Sequence, residues 1–294
     1  MIDKSMKGTL AGLSTVVIWS LSVLLAAHVN RLPPLQLTAM TWVVACILLI
    51  GWFLARQEKI FDHFYRPVKD YLFLISGMGV YSAIFYMGFK YAPAFEANAL
   101  NFLWPIFLMG FICFFQKRPV TIYMAAGTIL GFLGCIMLFL PQSGGRFFET
   151  FGIGHFLSIV GAVIWALYSA LAKGKEYPIG FLIPVFLISG IATYAVHVAV
   201  EEPMMPTAGE WMSIGMIGFI RIGYVFWDYG MRHGDQILIT SASYLTPLFS
   251  AIVLAMGGFG AESASVALAA AFIIAGCLLV NAEQFKILYK RWRP

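Results

Sequence analysis

Charged residues are scarce in this sequence, and their scarcity excludes a water-soluble protein. Only 11% of the 294 residues are Asp, Glu, Lys or Arg, whereas 61% are hydrophobic. Soluble domains carry about 25% charged residues. Because so few charges cannot cover the surface of a soluble fold, the composition predicts a protein that lies in a membrane.

Cysteines and catalytic motifs are also few. All four cysteines (Cys46, Cys113, Cys135 and Cys277) fall in apolar segments without a CxxC spacing, so neither a disulfide nor a metal site is predicted. The sequence has no phosphate-binding glycine loop, no HExxH zinc motif and no credible Ser/His/Asp arrangement. We therefore expect no ATP-driven step, no cofactor and no enzyme activity.

Long apolar stretches are what the sequence has in abundance. A transmembrane helix needs about 20 mainly apolar residues, and such stretches recur between short segments rich in Pro, Gly and charge. The first stretch is too long for the apolar region of a signal peptide and no small-residue cleavage site follows it, so we expect a retained first helix. The predicted fold class is an all-α membrane protein with ten transmembrane helices, near residues 9–29, 36–55, 71–91, 96–115, 121–140, 152–172, 179–200, 211–231, 237–256 and 264–285.

The distribution of Lys and Arg predicts the orientation of these spans. With the N-terminus in the cytoplasm, fifteen basic residues fall inside, only Arg31, Lys90 and Arg146 fall outside, and Arg221 lies within a span. The positive-inside rule then places both termini in the cytoplasm of a bacterial inner membrane. Because the basic residues are dispersed over short loops, no nucleic-acid partner is predicted. Membrane lipid is the expected surrounding, and no obligate protein partner is expected.

The second half of the sequence repeats the first. Val17-Ile18-Trp19 matches Val163-Ile164-Trp165, and further matches include Gly8/Gly154, Gly88/Gly230, Leu103/Leu245, Pro105/Pro247 and Gly134/Gly276. The predicted domains are residues 1–145 and 146–294, with five spans each. Because five is odd, the second domain must be inverted in the membrane, as in many secondary transporters. A channel or a membrane enzyme built from duplicated bundles is the alternative.

Three short motifs carry a resemblance to a known family. They are Asn101-Phe102-Leu103-Trp104-Pro105, the segment Gly161 to Tyr168, and Ser243-Tyr244-Leu245-Thr246-Pro247. With two five-helix halves of this size, the chain resembles the drug/metabolite transporter superfamily, which has paired EamA repeats, and within it the YddG-type aromatic amino-acid exporters. The resemblance implies a ten-helix basket around a central cavity that exports aromatic and other neutral amino acids. A drug or other metabolite exporter of the same superfamily is the alternative.

Aromatic residues near the middle of predicted spans are the candidate substrate-binding residues. Membrane aromatics usually gather at the two interfaces, and a Trp or Tyr at the midplane needs a hydrogen-bond partner. Aromatic walls suit a flat, uncharged side chain, with Asn101 as a polar anchor. The alternative is that the rings have only a packing role between helices. The aromatic candidates are Trp19, Tyr81, Trp104, Trp165 and Tyr244.

Pro105 and Pro247 are the candidate gating residues. They occupy equivalent positions in the fourth and ninth spans, where each removes a backbone hydrogen bond and clashes with the preceding turn. A kink is predicted at both, with freed carbonyls that can face substrate or water. A static bend that only improves packing is the alternative.

Two charged residues, Arg221 and Asp228, are predicted inside the membrane. A charge near the middle of a span is costly, so Arg221 is expected to face the bundle interior. Its candidate partners are a substrate carboxylate, Asp228 and Glu96, and a snorkelling arginine is the alternative. A proton-coupled transporter needs a titratable group in its pathway, and the candidates are Glu96, Asp228, His197 and Glu283.

Overall fold

The computed structural model describes residues 3–22, 25, 29, 31–140, 148–256 and 263–282, with side chains from residue 266 onward in the last range. Within these ranges the chain forms helices and no β-strand. Arg146, Glu283 and the basic residues after residue 285 lie outside the described residues, as do the ends of the first and tenth predicted spans.

Helices occupy most of the described chain. Seven helices among the described residues are long and apolar enough to cross a membrane. The first helix begins at Lys4 rather than at residue 9. The helices are α1 Lys4–Ser20, α2 Pro34–Ala55, α3 Val68–Tyr91, α4 Ala94–Phe115, α5 Ile122–Phe139, α6 Ile153–Leu171, α7 Ile179–Val200, α8 in two pieces (Ala208–Arg221 and Gly223–His233), α9 Gln236–Met256 and α10 Ser263–Val280.

Local sequence signals fix several helix starts. The Thr121 side chain accepts a hydrogen bond from the Met124 amide at the start of α5. Thr207 and Glu210 form a reciprocal capping box at the start of α8, and Asp235 accepts two amide hydrogen bonds at the start of α9. Pro34 stands in the first turn of α2, where a missing N–H costs nothing. These caps satisfy backbone groups that a helix leaves free at its start.

Two helices are interrupted beside the predicted prolines. In α4 the break at residues 102–103 separates Ala94–Asn101 from Trp104–Phe115. In α9 the break at residues 243–244 separates Gln236–Ala242 from Leu245–Met256. Proline has no N–H for the preceding turn and its ring collides with that turn, so each break lies just before its proline. Both breaks lie at the positions that the sequence repeat makes equivalent.

Two further irregularities occupy another equivalent pair of positions. In α3, Ile75–Val80 form a π-helical turn. In α8, the two pieces are separated at Ile222, which the repeat aligns with Val80. π-turns inside helices are rare and occur often at functional sites. The sequence pattern did not indicate either irregularity, because neither contains a proline.

Glycines bring pairs of helices into close contact in a repeated manner. A Cβ atom added to Gly8 in α1 would lie 2.6 Å from the Gly234 nitrogen after α8. One added to Gly154 in α6 would lie 2.6 Å from the Ala92 nitrogen after α3. The sequence repeat aligns Gly8 with Gly154 and Ala92 with Gly234. The α1–α8 contact and the α3–α6 contact are therefore the same contact made twice.

Candidate binding cavity

A cavity of about 190 Å³ lies between α1, α3, α4, α6, α8 and α9. Its wall is mainly aromatic, with a few amide and hydroxyl groups and one charged side chain. The lining residues are Trp19, Ser22, Tyr81, Phe85, Tyr86, Asn98, Asn101, Phe102, Trp104, Trp165, Ile217, Ile220, Arg221, Tyr224 and Thr246. A wall of this kind offers broad apolar contact together with a small number of orienting polar groups.

Five of the six predicted binding residues lie together in this wall: Trp19, Tyr81, Asn101, Trp104 and Trp165. They come from four helices, α1, α3, α4 and α6. The structure does not bring the sixth residue, Tyr244, into the cavity.

Tyr244 packs against α5 instead. A Cβ atom on Gly131 would lie 2.6 Å from the Tyr244 ring, so the ring fills the space that this glycine leaves. Tyr244 is 2% exposed and belongs to a separate apolar cluster that includes Cys135 and Ile273. The residue stands in the break of α9, where the direction of a side chain cannot be extrapolated from helical periodicity.

The tryptophan rings of the two halves meet at the centre of the cavity. Trp19 and Trp165, which are equivalent in the repeat, have ring centroids 6.0 Å apart. Tyr81 stacks on Trp165 at 4.9 Å. The ring of the fully buried Trp227 packs against them. Its centroid is 5.4 Å from those of Trp19, Trp104 and Trp165. Trp227 therefore packs directly behind three tryptophans of the cavity wall.

Trp227 and Tyr224 were not predicted from the sequence to lie at the cavity. Tyr224 lines the cavity and lies 5.6 Å from the Trp19 ring. The available signal was helical spacing, since Arg221, Tyr224 and Asp228 recur every three to four residues and share one face of α8. Asp228 and Arg221 both stood out as charges, but the aromatic residue between them did not.

Three polar atoms of the wall have no partner among the described residues: Trp19 Nε1, Asn101 Oδ1 and Arg221 Nη1. The Asn101 amide nitrogen donates to the Tyr81 hydroxyl at 3.4 Å, which orients the Asn101 side chain. Buried polar groups normally have partners, so each exception needs an explanation. These three atoms are therefore polar groups of the wall residues whose hydrogen-bonding capacity the described protein leaves unused.

Arg221 is held at the cavity by α2. Its Nε donates to the Thr41 hydroxyl at 3.0 Å, and its guanidinium carbon lies 4.3 Å from the centre of the Trp42 ring. The residue is 6% exposed. It does not pair with Asp228 or with Glu96, both of which have other partners. Arg221 therefore faces the bundle interior, and the remaining candidate partner is a bound anion.

Asp228 belongs to a buried network at the end of the bundle where α1 begins. Its carboxylate accepts hydrogen bonds from Tyr168 at 2.8 Å, Tyr177 at 2.6 Å and Arg232 at 2.8 Å. Asp228 is fully buried and Arg232 is 2% exposed. A charge pair with additional hydrogen bonds is stable in such surroundings, whereas either partner alone is not. This network lies beyond Trp227 and closes that end of the cavity.

A surface ion pair spans the same closed end. Lys4 at the start of α1 donates to Glu176 in the α6–α7 loop at 2.9 Å. This hydrogen bond holds the pKa of the exposed Glu176 carboxyl below its ordinary value. Exposed pairs contribute little stability, so the pair supports the closed end only weakly.

Glu96 lies near the opposite end. It accepts a hydrogen bond from the Phe148 amide at 2.9 Å and contacts His155 Nε2. His155 Nδ1 accepts from the Gly152 amide at 3.0 Å, so Nε2 is the nitrogen that donates to Glu96. His197 pairs with Glu201 at 2.8 Å. Neither Glu96, His197 nor Asp228 lines the cavity.

The structure shows no candidate metal site in the part of the chain that it describes. No group of three or more His, Cys, Asp or Glu side chains is placed there to hold an ion. The cysteines are free thiols, three of them buried and Cys277 half-buried.

A family model and several known proteins are similar to this chain. Residues 6–140 match the EamA-like transporter family. This part of the chain is an EamA-type transporter domain. The aromatic amino acid exporter YddG of Ancylobacter novellus is 28% identical, with 93% of this chain and 96% of the relative covered. YddG of Escherichia coli is 27% identical, with 85% of this chain and 88% of the relative covered.

A solved crystal structure has the same fold over nearly the whole length. Its TM-score is 0.87 at 27% identity, and the match covers 95% of this chain and 98% of that chain. Over nearly its whole length the chain thus resembles the YddG exporters, and its first half matches the EamA-like transporter family. These relatives indicate a multi-pass inner-membrane transporter with a small-molecule substrate rather than an enzyme.

Proposed function

We propose that this EamA-type protein is a secondary transporter that exports aromatic and other neutral amino acids across a bacterial inner membrane. The observation that carries the proposal is the cavity itself, where Trp19, Tyr81, Trp104 and Trp165 form an aromatic wall beside Asn101 and Arg221. A flat side chain stacks on such rings, while the polar ends of an amino acid find the partnerless polar atoms. The names of the YddG relatives agree with this substrate class.

The proposed architecture is ten transmembrane helices in two inverted halves, residues 1–145 and 146–294. The duplicated α1–α8 and α3–α6 glycine contacts support it, because a two-fold relation between the halves makes each contact the image of the other. The equivalent breaks in α4 and α9 support it as well. Such inverted repeats enclose a site near the midplane that is exposed to the two sides in turn.

In this proposal the structure corresponds to a state that is closed toward the cytoplasm. Both termini are cytoplasmic by the distribution of Lys and Arg, so the end where α1 begins is the inner end. Trp227 and the Asp228 network close that end. The cavity instead extends toward the other end, where Ser22, Phe85 and Asn98 line it. Opening toward the cytoplasm requires α8 and α6 to separate at the Asp228 network.

Counterflow in proteoliposomes tests the proposed function. Vesicles with purified full-length protein are loaded with unlabelled phenylalanine, and the uptake of labelled phenylalanine is measured. Trp104→Ala and Trp165→Ala are expected to lower the apparent affinity by about tenfold, since an aromatic contact is worth about 1 kcal/mol beyond its buried area. Trp52→Ala is the matched control, because Trp52 is 46% exposed on the outer face of α2, and it should leave counterflow unchanged.

Unchanged phenylalanine counterflow in Trp104→Ala and Trp165→Ala, with normal folded yield, would contradict the proposed site. The alternative function is a drug or other metabolite exporter. Saturable transport of cationic dyes, without counterflow of any amino acid, would favour that alternative. A panel of phenylalanine, tyrosine, tryptophan, leucine and one cationic dye separates the two functions.

A further inference from the structure

Among the described residues that line the cavity, Arg221 is the one that carries a charge. Its side chain is buried at 6% exposure, and Nη1 has no partner among the described residues. An uncompensated cation in a low-dielectric site is unfavourable by several kcal/mol. The site therefore has a strong requirement for an anion, and the nature of that anion bears on the substrate.

The buried carboxylates in the described part of the chain are all engaged elsewhere. Glu96 binds His155 and the Phe148 amide, and Asp228 binds Arg232, Tyr168 and Tyr177. The Glu201 carboxylate binds His197 and the first amides of α2, and Glu210 binds Arg31. None of the four lines the cavity, so none of them neutralises Arg221.

The geometry around Arg221 is that of a fixed anion-binding group. The Thr41 hydroxyl accepts a hydrogen bond from Nε and the Trp42 ring covers the guanidinium plane, while Nη1 is buried without an acceptor among the described residues. The Tyr224 ring lies 5.7 Å from the guanidinium carbon and 5.6 Å from the Trp19 ring. The Trp19 N–H lies against Gly223, where an added Cβ atom would be 2.6 Å from Nε1, so Arg221 is the charged donor on this side of the cavity. A carboxylate accepts charge-assisted hydrogen bonds from a guanidinium, and these are about twice as strong as neutral ones.

A substrate ammonium meets a much weaker site. Among the described residues that line the cavity there is no carboxylate, and the partnerless acceptor there is Asn101 Oδ1. One neutral amide oxygen and the faces of aromatic rings stabilise an ammonium group less than a carboxylate does. The charges of the wall are therefore asymmetric, with a full cation for the acid end of the substrate and only a dipole for the amino end.

We propose that the cavity selects aromatic carboxylates through Arg221, and that the carboxylate rather than the amino group is the charged group the substrate must carry. This inference rests on the proposed function in that it concerns the same cavity. It extends the substrate class to aromatic acids without an amino group and excludes aromatic amines without an acid group.

Competition in the counterflow assay tests this selectivity on the unaltered protein. Labelled phenylalanine uptake is measured against increasing 3-phenylpropionate, which lacks the amino group, and phenethylamine, which lacks the carboxylate. We expect 3-phenylpropionate to compete within about tenfold of phenylalanine, and phenethylamine to compete at least 30-fold more weakly, because a buried charge that loses its partner costs about 2 kcal/mol or more. Equal competition by the two analogues would overturn the inference.

Variants of Arg221 test whether this residue causes the preference for the acid over the amine. Arg221→Gln should lower the apparent affinity for phenylalanine and for 3-phenylpropionate by about 30-fold and abolish the preference over phenethylamine. Arg221→Lys, which keeps the charge, should retain the preference. Arg56→Gln is the charge control, because Arg56 is exposed and pairs with Glu58. Retained preference in folded Arg221→Gln would overturn the assignment to this residue.

A binding measurement keeps the inference separate from the proposed function. Thermal unfolding of the detergent-solubilised protein is followed with 3-phenylpropionate or phenethylamine, which requires no transport. Stabilisation by the acid and not by the amine supports the inference even if no amino acid is exchanged in vesicles. Absence of counterflow would then contradict only the proposed function, whereas stabilisation by the amine alone would contradict only the inference.

Discussion

The hydroxyl groups of Tyr81 and Tyr244 differ in their hydrogen bonding because their surroundings differ. The Tyr81 hydroxyl accepts a hydrogen bond from Asn101 at the cavity wall, whereas the Tyr244 hydroxyl is buried without a partner among the described residues. Tyr81→Phe should lower apparent substrate affinity by roughly threefold to tenfold, because it frees the Asn101 side chain. Tyr244→Phe should leave transport unchanged and leave the melting temperature unchanged or higher, since it removes an unsatisfied polar group.

These two variants remove the same atom, so each controls for the other. Counterflow kinetics and thermal unfolding of both proteins are the measurements. A loss of affinity in Tyr244→Phe that equals the loss in Tyr81→Phe would contradict the proposed separation between cavity wall and packing cluster.

Within the helical elements, the breaks before Pro105 and Pro247 offer the movable points of α4 and α9. Alanine at these positions restores the backbone N–H that an uninterrupted α4 or α9 needs, so Pro105→Ala and Pro247→Ala should favour helices without the breaks. We expect each to lower the transport rate more than it lowers folded yield. Pro34→Ala is the control, because Pro34 stands in the first turn of α2, where proline is well tolerated.

The outcome distinguishes gating from packing. Rates in proteoliposomes are compared with the yield of monodisperse protein for each variant. A parallel loss of rate and yield would leave only a packing role for these prolines.

The end of α8 depends on a buried charge pair. Asp228→Asn leaves Arg232, which is 2% exposed, without its counter-ion. Removing one partner of a buried pair costs about 3 kcal/mol or more, so the melting temperature should fall clearly. Asp70→Asn removes one partner of a more exposed pair with Arg66 and should cost less than about 1 kcal/mol. Similar melting temperatures for the two variants would contradict the role assigned to the Asp228 network.

For the whole molecule, the distribution of basic residues predicts that both termini face the cytoplasm. A green fluorescent protein fused to the C-terminus should fluoresce, and alkaline phosphatase fused there should be inactive. The same reporters in the loop 201–207 should give the opposite result, because that loop lies on the outer side in the proposed topology. A periplasmic C-terminus would overturn the orientation and the even number of spans.

The sequence by itself determined the class of protein and much of the cavity. Apolar stretches fix helices in a membrane because each span must satisfy its own backbone, and Pro105 and Pro247 mark breaks through local chemistry alone. The repeat of Trp19 as Trp165, and the mid-span positions of Tyr81 and Trp104, indicated the aromatic wall. Each of these signals is contained in a short segment or in its copy.

Only the tertiary structure decided which groups are partners. Arg221 faces the cavity without an acid because Asp228 is taken by Arg232 and two tyrosines, and Glu96 by His155. Tyr244 turns to Gly131 because a glycine on α5 leaves space for its ring, and Trp227 is buried because tryptophans of α1, α4 and α6 pack against it. Pairing and burial depend on contacts between segments far apart in sequence, so no periodicity within one helix specifies them.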